Sequence, residues 1–359
     1  MFSDLKDVQF CRLESPPNLL EETVLNVKKH IVSLALLAAC AAATAQDIQE
    51  RVIKFGHVNP QGHHLSMGVQ KFAEIVAARS GGKITVKEFA ASALGGEQQQ
   101  FSATQGGVQE MTVLSATVTG ATVKEFTLLD IPFSFARGEQ VDALLQGPFG
   151  QALLKRLPDK GLVGLGFWEA GFRQFTNSRR PIQTVDDLKG LKVRVIPNPM
   201  FVESFAALGT NPVPMAFPEL YGALESKAMD AQENPFAITL SAKLYEVQKY
   251  LSVTNHVYTA SPVLVSKRLW DKLSTTEQKI LQDAAAEAGA YQRKLSRDTS
   301  VAARKELEGK MQVNDVPPAV LTRMRELTAP VAEKFAASYD PAMVKLYREE
   351  LEKARATTR

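Results

Sequence analysis

The chain is 359 residues long, 45% hydrophobic and 23% charged, with 42 Lys and Arg against 39 Asp and Glu. This composition supports a sizeable core and is long enough for two α/β domains. A net charge of +3, scattered without basic clusters, leaves no footprint for nucleic acid.

At the N-terminus, residues 1–26 are acidic and irregular and are expected to lie upstream of the true start of translation. Residues 27–45 have the plan of a secretory signal peptide. They begin with the basic VKKH, continue as an apolar run from Ile31, and end in the small residues Ala43-Thr44-Ala45. The run is short for a membrane span, so Gln46 is the expected first mature residue and the periplasm the expected location. Leu37-Ala38-Ala39-Cys40 offers a second reading, a lipoprotein box acylated at Cys40. The only cysteines are Cys11 and Cys40; cleavage after Ala45 removes both and excludes disulfides and thiol catalysis from the mature chain.

From Arg51 onward, strand and helix alternate. RVIKFGHV predicts a strand. His63 to about Ser80 predicts a helix with Leu65, Val69, Phe72 and Val76 on one stripe and a stop at Gly81-Gly82. KITVKEF, EMTVLSA and GLVGLGFW predict the next strands, with helices at EQQQFSATQ, after the Gly95-Gly96 turn, and around Glu139 to Leu157. A second set follows: RQFTN, LKVRVI, a helix over Phe201 to Leu208, NPVPM, a helix from Pro218, then YLSVTNH and PVLVSKRLW. The alternation predicts α/β layers with parallel pairing. Ser274-Thr-Thr-Glu277 is a capping box opening a helix to about Glu308, near 45 Å long and long enough to brace two domains.

Motifs of catalysis are missing: there is no G-x-S-x-G, no H-E-x-x-H and no phosphate loop. His57, His63, His64 and His256 lack zinc spacing, and the adjacent His63-His64 fits a solvated helix start. What stands out is charge inside apolar strands. In LKVRVI, Leu191, Val193 and Val195 share one face, leaving Arg194 on the other with Lys192 and Ile196. GFWEAGFRQFTN places Arg173 between Phe172 and Phe175, and DAQENPFAI places Gln232, Glu233 and Asn234 at a strand end. A buried guanidinium needs a partner. Arg173 and Arg194 either clamp a ligand carboxylate, whose two oxygens match the planar fork, or pair with acids of the chain itself. The residues alone leave both readings open.

Several long words carry a resemblance. IKFGHV, FAEIVAARSGGKITVKEFAASALGGE, LLDIPFSFA, GFWEAGFRQFTNSRRPIQTVDDLKGLKVRV, GTNPVPMAFPELYGALESKAMDAQENP and LYEVQKYLSVTNHVYTASPVLVSKRLWDKL run from about Ile53 to Leu273 with hardly a gap. The chain resembles the solute-binding proteins of TRAP (tripartite ATP-independent periplasmic) transporters, in the branch that includes C4-dicarboxylate binders. The resemblance implies an α/β two-domain periplasmic-binding-protein clamshell, each domain a mixed sheet flanked by helices, with a long helix spanning both. The lobes it implies are 46–171 with 260–299, and 172–259 with 300–359.

The resemblance also places ligand contacts at Arg194, Arg173, Asn234 and Phe217. Weaker candidates are Glu97, after the glycine turn, Ser115 at a strand end, and Trp168 and His57 near the expected cleft. The implied ligand is a small organic acid, a C4-dicarboxylate or a hydroxy or keto acid. The implied partner is a TRAP membrane permease, the receptor acting as a monomer without enzyme activity or cofactor. Asn234-Pro235 departs from the branch that holds 2-oxo acids through a metal, so no metal is expected. Two other functions share the features: a sensory protein that presents its acid to a receptor, and a periplasmic enzyme acting on organic acids.

Overall fold

The computed structural model describes residues 48–357. The expected extension, the signal peptide and Cys40 lie outside them. The strands are β1 (Arg51–Gly56), β2 (Ile84–Phe89), β3 (Met111–Val113), β4 (Leu162–Asn177), β5 (Lys192–Val195), β6 (Asn211–Pro214), β7 (Ala231–Pro235), β8 (Tyr250–Val253), β9 (Tyr258–Ser266) and β10 (Gln312–Asp315). Their order along the sheet is β2-β1-β3-β9-β4-β7-β5-β6, with β8 pairing both β4 and β10.

Pairing is mixed where alternation predicted parallel strands. β1–β2, β1–β3, β5–β6, β5–β7 and β8–β10 are parallel, whereas β9 runs antiparallel to β3 and β4, and β4 antiparallel to β7 and β8. GLVGLGFW and RQFTN, which read as two strands, are one 16-residue strand, β4. Glycines at 164, 166 and 171 broke the hydrophobic alternation because they mark register shifts at Gly164/Gly166 and Glu169/Gly171. Gly171 has φ +107, a conformation that suits glycine. Up to Phe172 the strand pairs with β9, and from Arg173 onward with β7. One continuous strand therefore serves two sets of partners, changing between Phe172 and Arg173.

Helix α1 (His64–Arg79) covers β1 and β2, and α2 (Glu97–Gly106) starts from the glycine turn as expected. The helical stretch near Glu139–Leu157 is two helices, α3 (Gly138–Gln146) and α4 (Pro148–Leu154). Pro148 lacks an N–H and cannot continue a helix, but it suits the first turn of the next. Two further helices, α5 (Pro199–Ala207) and α6 (Leu220–Glu225), follow β5 and β6.

The long helix, α7 (Thr275–Glu308), has 34 residues, about 50 Å, and carries the expected capping box. Glu277 N–H donates to Ser274 Oγ at 3.1 Å, and Ser274 N–H donates back to the Glu277 carboxylate at 2.8 Å. The helix packs on α1, on β4 and on the short helix Phe236–Ser241, so it touches both portions of the sheet. Helices α8 (Pro318–Ala336) and α9 (Pro341–Thr357) close the fold. Among the described residues no helix is long and apolar enough to cross a membrane.

Two histidines expected at a solvated helix start are buried instead, His63 at 3% and His64 at 1% exposure. His63 Nδ1 caps α1 by accepting Leu65 N–H at 3.2 Å, and His64 Nδ1 accepts from Gln292 of α7 at 2.8 Å. Burial pushes the His64 imidazole down to about 3, and burial together with its histidine neighbours pushes His63 well down, so both are neutral. The side chain covering His64 lies 228 residues away in sequence, which is why local pattern misreads it.

Candidate functional site

A narrow cavity opens where β4 changes partners. Arg173 and Ala170 of β4, Arg194 of β5 and Asn234 of β7 line it, with Thr259 and Ser261 of β9. Segments after β1 and β3 add Asn59 and Ser115, and Glu97 and Phe217 complete the rim. Gly96 lies against the Phe217 turn: a Cβ built there would sit 3.6 Å from Ala216 Cβ.

The two arginines are equally buried, at 2% exposure, yet their surroundings differ. Arg173 has a partner from the chain on each of its three nitrogens. Its Nε and Nη2 engage the Glu233 carboxylate, the second at 2.8 Å. Nη2 also donates to Asn234 Oδ1 at 3.1 Å, and Nη1 to Thr259 Oγ1 at 3.1 Å. The internal ion pair, one of the two readings of this arginine, is thus present, although Arg173 also borders the cavity.

Among the described residues Arg194 has a single hydrogen bond, Nε to the Met215 carbonyl at 2.8 Å. Among the described residues no carboxylate lies within ion-pair distance of it. Desolvation pulls its pKa down to about 10; the charges of Glu233 and Glu97 oppose that pull and Arg173 adds to it. It remains charged at neutral pH, a buried cation whose distal nitrogens meet no acid among the described residues.

Glu97 opens α2, where the helix dipole favours an anion. Its two oxygens accept from Ser115 N–H and Ser115 Oγ, both at 2.8 Å. Asn234 Nδ2 donates to Gln232 Oε1 at 2.6 Å, which fixes the amide beside Arg173. Six of the eight residues singled out from sequence therefore meet around one cavity: Arg194, Arg173, Asn234, Phe217, Glu97 and Ser115.

Trp168 and His57 do not. The Trp168 indole is buried under α7 and donates to the Ala285 carbonyl at 3.2 Å, while His57 Nε2 turns away to Glu88 at 2.9 Å. His57 directly follows β1, but Trp168, expected at a strand end, lies in the middle of the continuous strand β4; both side chains leave on the helix-covered side. Three polar lining residues escaped notice: Asn59, Thr259 and Ser261. Thr259 and Ser261 alternate in the otherwise apolar TASPVLV, a period-two signal pointing to one face.

Asp130 is buried near this cluster. Its Oδ1 accepts from Thr117 Oγ1 at 2.9 Å, and Oδ2 has no partner. Burial pushes its pKa up to about 8, so the native state keeps a proton that the unfolded chain releases near 3.8. The sign follows from linkage: Asp130 favours folding below about pH 4, and this contribution is lost as pH rises to about 8. Asp130→Asn is expected to gain stability relative to wild type across that window, by at most about 1.4 kcal/mol per pH unit. Paired thermal melts at pH 5 and pH 8 check this; parallel pH dependence in the two proteins would refute it.

A mixed α/β sheet whose strand β4 changes partners at a cavity holding an unpaired buried arginine defines a solute-receptor class of protein. Residues 55–338 match the family described as bacterial extracellular solute-binding protein, family 7, and the chain belongs to that family, the solute-binding proteins of TRAP transporters. It is 38% identical over 270 residues to the 2,3-diketo-L-gulonate-binding periplasmic protein YiaO of Escherichia coli, covering 75% of this chain and 82% of the relative. It is 31% identical over 303 residues to the C4-dicarboxylate-binding periplasmic protein DctP of Rhodobacter capsulatus, covering 84% and 90%. The crystal structure of the sugar acid binding protein DctPAm from Advenella mimigardefordensis, in complex with galactonate, superposes with a TM-score of 0.84 at 39% identity. That match covers 86% of this chain and all of the other.

Proposed function

We propose that this chain is the periplasmic receptor of a TRAP transporter, which captures an organic-acid anion on Arg194 and hands it to the permease for ion-gradient-driven import. The observation that carries the reading is the state of Arg194: buried, charged, held by one carbonyl and bordering a cavity. A carboxylate supplies the two oxygens its fork lacks, in a bidentate pair stronger than neutral hydrogen bonds. Arg173, already anchored by Glu233, adds Nη1 and positive potential rather than a second free fork. Asn234 and Phe217 border the same space.

The lobes are residues 46–171 with 260–299, and 172–259 with 300–359, meeting where β4 changes partners. Ligand contacts made on both sides favour the closed form. A shift from 1:99 to 99:1 needs about 5.5 kcal/mol of differential binding. Relatives that bind galactonate and diketogulonate support an acid carrying hydroxyl or keto groups.

Calorimetric titration of the purified protein with a panel of organic acids tests the reading. Micromolar or tighter binding of at least one carboxylate is expected, worth about 8 kcal/mol. Absence of heat for every acid, with melting temperatures unmoved, would refute it.

A further inference from the structure

The cavity's charges can be summed from its ion pairs. Arg173 is cancelled by Glu233, which leaves Arg194 facing one anion on a different element, Glu97. Before a ligand enters, these four side chains add to zero. One carboxylate makes the sum −1; a dicarboxylate makes it −2 in a poorly hydrated space, where like charges repel strongly.

Glu97 does not move aside easily. Both of its oxygens are tied to Ser115, by the backbone N–H and by the hydroxyl, each at 2.8 Å. A carboxylate accepts hydrogen bonds and donates none, so the remaining lone pairs of Glu97 suit hydroxyl donors and oppose a second carboxylate. Asn59 and Ser261 line the same space and have no side-chain hydrogen bond to the described residues. They leave one amide and one hydroxyl free for further ligand oxygens.

We infer that Glu97, held in place by Ser115, is the residue that sets charge specificity: it selects hydroxylated monocarboxylates and rejects C4-dicarboxylates. This rests on the reading of Arg194 as the carboxylate site. Ligand hydroxyls donate to Glu97 while the single carboxylate lies on Arg194, and the rejection is built into the wall rather than left to ligand size.

The test is calorimetry of wild type, Glu97→Gln and Ser115→Ala with erythronate, gluconate, galactonate, succinate and malate. Wild type is expected to bind the best aldonate at least about 100-fold more tightly than either dicarboxylate, since like-charge juxtaposition costs several kcal/mol. Glu97→Gln keeps the shape and removes the charge. It is expected to narrow that ratio at least about tenfold, with the aldonate weakened and the dicarboxylate strengthened. Ser115→Ala, which frees Glu97, is expected to move the ratio in the same direction by less, and it covers the case in which Glu97→Gln fails to fold. A dicarboxylate that binds wild type as tightly as the best aldonate, or a ratio unmoved in the folded variants, overturns the inference while leaving Arg194 as the carboxylate site. If no acid binds wild type, or Arg194→Met binds as well as wild type, the Arg194 reading fails and this inference fails with it.

Discussion

Replacing Arg194 by methionine is expected to abolish organic-acid capture while leaving the unliganded protein at least as stable as wild type. The two effects have opposite signs because the guanidinium is costly to the empty fold. It is buried at 2% exposure, its one hydrogen bond among the described residues goes to the Met215 carbonyl, and desolvation has pulled its pKa down to about 10. Methionine fills a similar volume and removes the buried charge; the loss of one donor to Met215 costs about 1 kcal/mol, less than the relief of an unpaired ion. For the ligand the change is severe. Its carboxylate is left in the cavity without a counter-charge, a loss of about 2–5 kcal/mol, or on the order of 30- to several-thousand-fold in affinity. Thermal melts without ligand and calorimetry with the best-binding acid read both quantities. Affinity retained within about threefold would show that the carboxylate does not lie on Arg194. Arg194→Lys keeps the charge but not the planar fork, and its affinity should fall between the two.

Which parts of this molecule can be read from its sequence depends on how far apart the determining residues lie. The capping box at Ser274–Glu277 and the long helix after it are local, and α7 begins and ends within two residues of the periodic pattern. The alternation in LKVRVI likewise isolates Arg194 from its neighbours without any knowledge of the fold. Contacts across the sheet are another matter. Arg173 and Glu233 both stand in conspicuous words, but their pairing requires β4 to lie antiparallel to β7, with Phe175 opposite Glu233. Sixty residues separate the two, so the chain's own acid and a ligand's acid were equally good partners until that register was known. The same distance effect hides the burial of His64 under α7, and it sends Trp168 to Ala285 rather than to the cavity. Arg173, Arg194 and Asn234 stand out from the residues alone, as polar groups in apolar words, whereas Phe217, Glu97 and Ser115 come only from the resemblance, because periodicity does not say which segments converge.

The second large effect is expected at Glu233. It is fully buried and meets Arg173 through both oxygens, with His256 Nε2 a further 3.1 Å away. Burial alone would push its pKa up, but the Arg173 charge and the hydrogen bonds from Arg173 and His256 outweigh that and hold it below the ordinary value. Glu233→Ala strands the Arg173 guanidinium in the interior, and breaking a buried pair from one side costs about 3–5 kcal/mol. The unliganded melting temperature should fall by on the order of 5–15 °C.

Linkage gives this loss a pH signature. A carboxylate with a lowered folded pKa contributes stability above its unfolded value, and the contribution is lost as pH falls through the folded one. The gap between wild type and Glu233→Ala should therefore be widest near neutrality and close below about pH 4, the ordinary range of a glutamate. A melting temperature within a degree or two of wild type at pH 7 would show that the ion pair does not hold the site together. The paired substitution Arg173→Met with Glu233→Leu separates structure from binding: an apolar pair of similar volume should recover most of the stability. It should not recover the affinity, because Arg173 then brings neither Nη1 nor its charge to the cavity beside Arg194. On the proposed reading, stability and capture draw on the two arginines unequally: the loss of Arg173 is expected to cost the fold first, and the loss of Arg194 the ligand.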